Sequence, residues 1–224
     1  MQVLIVGTGK LAIELLEAMG TDPASQAIAW ASRGENQGPA IVVHAGSGRE
    51  LNAVVAYCQA TRSTLVELAT GSEAETASQG FPVVRCPNTH ILMLKFIHML
   101  EKSGHLFRGY PITLTESHQQ QKTSEPGTAV SLAQALGLAS EAVRSVRDPQ
   151  EQVRVLKIPP EHLARHAYHQ IVIEDPVCSI TLQTRVYGAS PYADGVVRII
   201  AAVRAHALED RLYPIGEFVE RGWV

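Results

Sequence analysis

The feature that most constrains the fold is a glycine-rich turn between an apolar strand and a helix, near the start of the chain. Residues 3–6 form a short β-branched run, residues 7–12 read Gly-Thr-Gly-Lys-Leu-Ala, and an amphipathic stretch follows. Gly7 permits a tight turn, Gly9 lets the backbone approach a pyrophosphate, and Ala12 lets helix and strand pack closely. The N–H groups at the helix start favour phosphate. This placement predicts a dinucleotide-binding turn formed by Gly7, Thr8, Gly9, Lys10 and Leu11.

Strands and helices then alternate as far as residue 85. The apolar runs predict strands over 3–6, 27–31, 40–44, 64–68 and 81–85, and helices over 50–60 and 73–79. Such alternation is typical of a parallel, doubly wound sheet. Ligands of these sheets bind at the carboxyl ends of the strands, so we expect the cofactor there.

The pattern changes after Pro87-Asn88. It predicts helices over 91–103, 129–136 and 195–208, strands over 110–116, 154–158, 169–174 and 178–186, a polar loop over 118–128, and a charged loop or helix end over 144–153. The predicted fold class is α/β, with an N-terminal Rossmann-like doubly wound parallel sheet and a smaller α+β domain with a mixed sheet. The predicted domains are 1–88, rejoined by about 195–224, and 89–194.

Composition excludes several classes of protein. The net charge is −3, from 19 basic and 22 acidic residues, and the aromatic share is 5%, so neither a nucleic-acid surface nor a membrane surface is indicated. The three cysteines are far apart, no His or Cys spacing indicates a metal site, and no apolar run is long enough to span a membrane. The chain enters a strand at once, without a basic leader, so we expect a cytoplasmic location.

The end of the second predicted strand indicates which dinucleotide binds. A site specific for NAD usually places an acidic side chain there, on the ribose 2′-hydroxyl. This chain reads Trp30-Ala31-Ser32-Arg33, with no acid before Glu35. Ser32 and Arg33 suit a 2′-phosphate, which favours NADPH, with NADH also possible. The alternative is that Arg33 is a solvated loop residue.

A second group of residues suits an acidic substrate. The segment from Glu116 to Lys122 carries His118, and Pro126-Gly127-Thr128 follows at a predicted helix start. Backbone N–H groups at a helix start and a Thr hydroxyl hold anions, Lys adds a point charge, and His donates a proton near neutral pH. The alternative is an ordinary surface loop.

These residues resemble the dihydrodipicolinate reductase family, whose signature is E-x-H-H-x-x-K-x-D-x-P-S-G-T-A. Here Glu116-x-His118-Gln119-x-x-Lys122 is followed by Pro126-Gly127-Thr128-Ala129, so the second His and the Ser of the signature are absent. Weaker similarities are Ala69-Thr70-Gly71, Pro87-Asn88-Thr89, the strand at His169, and Tyr192-Ala193-Asp194-Gly195. In place of the family's late H-x-A-x-S-R run, this chain has residues Thr184 to Ala189, so the His and the Arg of that run are absent. Arg185 is the candidate to compensate for the absent Arg.

The resemblance implies NAD(P)H-dependent reduction of 4-hydroxy-tetrahydrodipicolinate, a small dicarboxylate, in lysine and diaminopimelate synthesis. It also implies that the second domain binds the substrate and that its sheet joins four chains into a homotetramer. By position, His118 and Lys122 are the expected catalytic residues, and the expected substrate contacts are Gln119, Gly127, Thr128 and Arg185. Cofactor contacts are expected at Ala69, Thr70, Gly71, Pro87, Asn88 and Thr89. The alternatives are a related reductase of another imine or carbonyl acid, and a nucleotide-binding sensor without activity.

Overall fold

The computed structural model describes residues 1–20, 27–34, 38–69, 80–123, 126–188 and 192–224. The chain divides into two compact units: Met1–Leu94 together with Tyr192–Val224, and Lys95–Pro191. The sequence predicts boundaries after residue 88 and before residue 195, whereas the two units meet after residue 94 and before residue 192. Among the described residues, no helix has the length and apolar character that crossing a membrane requires.

The regular elements alternate in the first unit and then change character. In chain order they are β1 (Gln2–Val6), α1 (Lys10–Gly20), β2 (Ala27–Ala29), β3 (Ala40–His44), α2 (Leu51–Thr61), β4 (Thr64–Glu67), β5 (Val83–Arg85), α3 (Ile91–Ser103), β6 (Ile112–His118), α4 (Gly127–Leu136), β7 (Arg144–Val146), α5 (Pro149–Arg154), β8 (His166–Glu174), β9 (Ser179–Tyr187), α6 (Ala193–Ala205), β10 (Leu212–Pro214) and α7 (Ile215–Glu220).

The first unit holds a parallel sheet of six strands in the order β10-β5-β4-β3-β1-β2. Its central strands are buried on both faces, because alternate residues of β1 belong to different cores. Val3 and Ile5 pack in a core with α1 and α6, whereas Leu4 packs in a core with α2. Since β2 and β3 lie on opposite sides of β1, the connections reverse direction at β1. This is the switch point at which such sheets bind ligands.

The second unit holds a mixed sheet of four strands in the order β7-β6-β8-β9. Strand β6 pairs parallel with β7 and antiparallel with β8, and β8 pairs antiparallel with β9. Leu132 and Leu136 of α4 pack with Leu114 and Ile171, so α4 covers one face of this sheet. The predicted fold class, a doubly wound parallel sheet with a smaller α+β domain, is therefore confirmed.

Several predicted elements were wrong in detail. No strand runs over 154–158: Arg154 ends α5, which begins where the Asp148 side chain accepts a hydrogen bond of 3.1 Å from the N–H of Gln150. That cap, with Pro149 after it, is an ordinary helix-start signal. The charged segment over 144–153 contains β7 as well as α5, and the last predicted helix is followed by β10 and α7. The helix predicted over 73–79 lies outside the described residues.

Two boundaries bear on the candidate site. His118 is the last residue of β6 rather than the start of a loop, so its backbone is held by the sheet. Helix α4 begins at Gly127, two residues earlier than predicted, which places Gly127 and Thr128 in its first turn. The strand predicted over 27–31 ends at Ala29, and a 3₁₀ turn over Trp30–Ser32 follows.

Candidate functional site

The turn after β1 has the geometry of a nucleotide-binding turn. Gly7 has a φ of +120°, and a Cβ placed on it would lie 2.8 Å from the carbonyl oxygen of Ala45 and 3.1 Å from the Cα of Gly46. A side chain at Gly7 would therefore strain the backbone and collide with the turn after β3. A Cβ on Gly9 would have no atom within 4 Å, so the backbone there is open to a ligand. Helix α1 begins at the next residue, so its first N–H groups lie at this opening.

The structure brings together the predicted residues Gly7, Thr8, Gly9, Lys10 and Leu11 at this turn. Thr8 lies in the turn itself, while Lys10 and Leu11 are the first two residues of α1. A pyrophosphate fits this turn, because the close approach that it needs is provided by two glycines and a helix N-terminus.

Arg33 and Ser32 lie just past the end of β2. The Arg33 guanidinium carbon lies 3.7 Å from the centre of the Trp30 ring, and its NH1 donates a hydrogen bond of 2.8 Å to the Trp30 carbonyl oxygen. That bond uses one of the five guanidinium N–H donors. The stacking fixes the plane of the guanidinium group, and Ser32 beside it is exposed. Glu35, the first acid after β2, lies outside the described residues.

The other predicted cofactor residues follow β4 and β5. The N–H of Ala69 donates a hydrogen bond of 2.8 Å to Oε1 of Glu67, whereas Thr70 and Gly71 lie outside the described residues. In the Pro87-Asn88-Thr89 segment, Oδ1 of Asn88 accepts a bond of 2.9 Å from the N–H of His90. These bonds hold the backbone at the carboxyl ends of β4 and β5, the same edge of the sheet as Gly7.

Thr89 is also held by the start of α6. Its hydroxyl donates a hydrogen bond of 3.1 Å to the carbonyl oxygen of Tyr192. A Cβ on Gly195 would overlap the carbonyl oxygen of Thr89, so only glycine fits there. This close approach explains why residue 195 is a glycine: the start of α6 packs directly against Thr89, in the segment that follows β5.

In the second unit, a buried carboxylate joins an arginine to a histidine. Glu116 is 0% exposed; its Oε1 accepts a hydrogen bond of 2.6 Å from NH2 of Arg147, and its Oε2 accepts one of 2.7 Å from Nδ1 of His118. Burial raises the pKa of Glu116, but the bonds from His118 and Arg147 outweigh it, and the pKa falls to about 2. Glu116 is therefore ionised at neutral pH. Because a carboxylate only accepts, Nδ1 of His118 carries a proton, and Nε2 is the nitrogen available to a substrate.

A second histidine lies beside this group. His169 is opposite Glu116 in the β6–β8 register, and its ring centre lies 6.0 Å from that of His118, edge to face. Its Nδ1 is hydrogen-bonded to Oγ1 of Thr184 at 3.1 Å. Burial lowers the pKa of His169 to about 4, with a further contribution from His118. His169 is therefore neutral at pH 7 and adds no positive charge beside His118.

The end of β6 is held from the other face of the sheet. Nε2 of Gln152 donates hydrogen bonds to the His118 carbonyl oxygen at 2.7 Å and to Oγ of Ser117 at 3.0 Å. Nδ1 of His166 donates to the carbonyl oxygen of His162 at 3.1 Å, so its Nε2 accepts from Ser117 at 3.0 Å. Gln152 and His166 are both buried, and together they fix the backbone that carries His118.

The structure places the remaining predicted residues in two regions. Gln119 and Lys122 form a turn directly after β6, closed by a hydrogen bond of 3.0 Å from the Lys122 N–H to the Gln119 carbonyl oxygen. Gly127 and Thr128 begin α4, on the chain segment that follows. Arg185 is not brought to the histidines, because its partner across the strands is Tyr168, whose side chain lies on the opposite face of the sheet from His169.

Arg147, His169 and Thr184 are among the residues at this site to which the sequence analysis gave no role, as are Ser117, Gln152 and His166 on the other face of the sheet. Glu116 and His169 were noted only as members of family motifs. The available signal was the alternation along β8 and β9, which places His169 and Thr184 on one face once the strands are paired. Arg147 follows the short strand β7, which was not predicted.

Comparison with known proteins identifies the family. Residues 91–218 match the family model described as the C-terminus of dihydrodipicolinate reductase. The probable 4-hydroxy-tetrahydrodipicolinate reductase 1, chloroplastic, of Oryza sativa subsp. japonica is 40% identical over 106 residues, covering 44% of this chain and 31% of that protein. The 4-hydroxy-tetrahydrodipicolinate reductase 2, chloroplastic, of Arabidopsis thaliana is 33% identical over 135 residues, covering 55% of this chain and 38% of that protein. The matched stretch thus spans less than two thirds of either relative.

A solved structure agrees with the fold over nearly the whole chain. The dipicolinate-bound dihydrodipicolinate reductase from Paenisporosarcina sp. TG-14 superposes with a TM-score of 0.65, covering 97% of this chain and 99% of that chain at 16% identity. The family match over residues 91–218 extends over more than half of the 224 residues and includes Glu116, His118 and Lys122. The chain therefore belongs to the dihydrodipicolinate reductase family.

Proposed function

We propose that this chain reduces 4-hydroxy-tetrahydrodipicolinate with NAD(P)H, the step named for its relatives and one that serves lysine and diaminopimelate synthesis. The observation that carries the proposal is the Glu116–His118 pair. A buried carboxylate holds the Nδ1 proton of His118, and the same carboxylate stabilises a positive charge on the ring. A histidine held in this way is suited to donate a proton.

The cofactor supplies the hydride when it is bound. The residues that would hold it are Gly7 and Gly9 with the start of α1, where the backbone is open and glycine is required. In the balanced reaction the hydride and one proton are taken up and the 4-hydroxyl group leaves as water. The doubly protonated ring of His118 would supply that proton from Nε2 and keep the proton on Nδ1. Gln152 and Ser117 keep the backbone of His118 in place, so that the ring need not reorganise when the proton moves.

The substrate carboxylates are proposed to bind near Lys122 and at the start of α4. Gly127 and Thr128 form the first turn of that ten-residue helix, whose N–H groups favour an anion. The relative from Paenisporosarcina sp. TG-14 holds dipicolinate, a planar dicarboxylate, which makes dipicolinate the appropriate probe here. The absent second His of the family signature is Gln119, whose amide is a neutral donor in place of an imidazole.

NADPH is the proposed cofactor in preference to NADH. The stacked Arg33 and the exposed Ser32 support a site for the 2′-phosphate beyond β2. A charged hydrogen bond contributes about 1.5–3 kcal/mol, so Arg33→Ala should weaken NADPH binding about 10- to 100-fold and leave NADH binding nearly unchanged. Equal losses for both nucleotides, measured by fluorescence titration, would contradict the preference.

A homotetramer formed through the second sheet is the proposed assembly. Strand β9 is nine residues long and lies at the edge of its sheet, and Arg185 and Gln183 are exposed on the face that α4 does not cover. An open edge and an exposed face are features through which copies of a chain associate. Light scattering of the purified protein should give four times the chain mass, and a monomer would refute this assembly. The cytoplasmic location stays a prediction.

The reductase proposal is tested by matched variants in an NADPH oxidation assay. His118→Ala should lower kcat about 10²-fold or more, since a positioned proton donor contributes about 10²–10⁴. Lys122→Ala, which removes a charged contact of the substrate carboxylates worth about 1.5–3 kcal/mol, should lower kcat/KM about 10- to 100-fold. His105→Ala and Lys95→Ala, both at exposed positions, should keep wild-type rates. Full activity in the His118 and Lys122 variants would refute the site. A wild type that binds NADPH but oxidises none would favour the sensor instead.

A further inference from the structure

A second buried histidine–carboxylate pair lies in the first unit, at the carboxyl ends of β3 and β4. His44 and Glu67 are the last residues of these strands and are neighbours in the parallel register. Both side chains are 0% exposed, and Nδ1 of His44 lies 2.8 Å and 2.9 Å from the two carboxylate oxygens of Glu67. Burying an ionisable pair costs desolvation free energy, so a buried pair of this kind points to a specific role.

Glu67 also fixes the chain that leaves β4. Its Oε1 accepts a hydrogen bond of 2.8 Å from the N–H of Ala69, and the N–H of Leu68 donates one of 3.0 Å to the carbonyl oxygen of His44. The first bond holds the chain after β4 against the end of its own strand, and the second joins it to the end of β3. Since a carboxylate only accepts, the proton of the His44–Glu67 bond resides on Nδ1.

The other nitrogen of His44 faces the turn after β3. Among the residues that the structure describes, Nε2 of His44 is buried and has no hydrogen-bond partner. A Cβ on Gly46 would lie only 3.0 Å from this nitrogen, so the ring occupies the space that a side chain would need. Gly46 is also the residue whose Cα would lie 3.1 Å from a Cβ on Gly7. The contacts therefore run from Glu67 through His44 and Gly46 to the dinucleotide turn.

We propose that His44 and Glu67 are positioning residues for the dinucleotide. The pair sets the mutual placement of the turns that follow β1 and β3 and of Leu68 and Ala69 after β4, at the edge of the sheet where the pyrophosphate and nicotinamide would bind. Nδ1 faces the carboxylate of Glu67, and Nε2 faces Gly46. This inference rests on the proposed binding of NADPH, and it assigns a role to two residues that the reductase mechanism does not use.

The test is Glu67→Gln, which keeps the shape of the side chain. The Gln oxygen, in the place of Oε1, still accepts from the N–H of Ala69, and the amide nitrogen takes the place of Oε2, 2.9 Å from Nδ1 of His44. An amide N–H at that distance opposes a proton on Nδ1 and favours the tautomer in which Nδ1 accepts. The ring proton is thereby moved to Nε2, towards Gly46. We expect about tenfold weaker NADPH binding in fluorescence titrations, and a ¹⁵N spectrum in which the proton of His44 resides on Nε2.

Ser63→Ala is the matched control. Ser63 is a buried polar residue of the same unit; its Oγ accepts a hydrogen bond of 2.9 Å from the N–H of Ala40, at the amino ends of the strands. This variant should lose stability but keep NADPH affinity. Equal affinity of the Glu67→Gln variant and the wild type would overturn the positioning role, as would an equal loss of affinity in the two variants.

The wild type provides a second measurement that does not depend on the folding of a variant. The ¹⁵N resonances of His44 should shift on titration with NADPH, since Nε2 faces the turn that packs against the dinucleotide turn. Resonances that stay fixed while NADPH binds would overturn the positioning role alone. A wild type that binds no NADPH would overturn the proposed cofactor as well, so the two failures are distinguishable.

Discussion

The Glu116→Gln substitution tests the buried pair on which the proposed chemistry depends. Glu116 is fully buried and accepts hydrogen bonds from Arg147 and His118. A carboxamide has one acceptor oxygen and one donor nitrogen, so it cannot accept from both groups. If its oxygen stays with Arg147, its N–H faces Nδ1 of His118 and opposes a protonated ring. The expected result is a loss of both stability and proton donation.

The magnitude follows from the pKa of Glu116. Its fall from 4.5 to about 2, at about 1.4 kcal/mol per unit, means that the ionised side chain stabilises the folded state by on the order of 3 kcal/mol at pH 7. The folded-state pKa lies below the unfolded value, so this stabilisation is present above pH 4.5 and is lost as the pH falls towards 2. By linkage, about 2 kcal/mol of it is gone at pH 3.

Urea unfolding at pH 7 and pH 3 measures this dependence. The Glu116→Gln variant should be less stable than the wild type by about 3 kcal/mol at pH 7 and by about 1 kcal/mol at pH 3. The control is Glu151→Gln, which breaks a more exposed ion pair with Arg144 and should cost less than about 1 kcal/mol. A Glu116→Gln deficit that is the same at both pH values, or below 1 kcal/mol at pH 7, would refute the reasoning.

Three further outcomes are expected. Gly195→Ala should destabilise the protein by about 1–3 kcal/mol or more in thermal unfolding, because its Cβ overlaps the Thr89 carbonyl, whereas Gly127→Ala, with open space around its Cβ, should be neutral or stabilising. His169 has a folded-state pKa of about 4, below its usual 6.5, so its titration should lower the free energy of unfolding of the wild type by about 3 kcal/mol as the pH falls from 6.5 to 4. The His169→Gln variant should lose much less over this range, and parallel stability profiles for the two proteins would contradict the prediction. Gln152→Leu should lower kcat with little change in the KM for NADPH, since it releases the backbone of His118; a change confined to that KM would contradict the role.

Local patterns in the sequence were sufficient to predict the fold class and part of the candidate site. The strand–glycine–helix segment around Gly7 and Gly9 is encoded within a dozen residues, and its predicted geometry is the observed one. The strand predicted over 154–158 from its alternating pattern was wrong because Arg154 ends α5 and Lys157 has a φ of +56°, which an extended strand does not allow.

Contacts between distant segments could not be predicted. Arg147 reaches Glu116 only because β7 pairs with β6, and β7 has three residues and no strong periodicity. Strand register decides which of Arg185 and Thr184 lies beside the histidines, since a shift of one residue exchanges the two faces of a strand. The register places Thr184 beside His169 and Arg185 on the other face. Without the pairing, both residues were equally plausible near the site.

The measurement that tests the central claim most directly is the stoichiometry of NADPH oxidation by the purified chain with freshly generated 4-hydroxy-tetrahydrodipicolinate. The account predicts that absorbance at 340 nm falls until one NADPH is consumed per substrate molecule, and that His118→Ala slows this fall by about 10²-fold or more. Dipicolinate should inhibit the reaction competitively with the substrate. No NADPH consumption by a chain that binds the nucleotide, or an unchanged rate in the His118→Ala variant, would contradict the account.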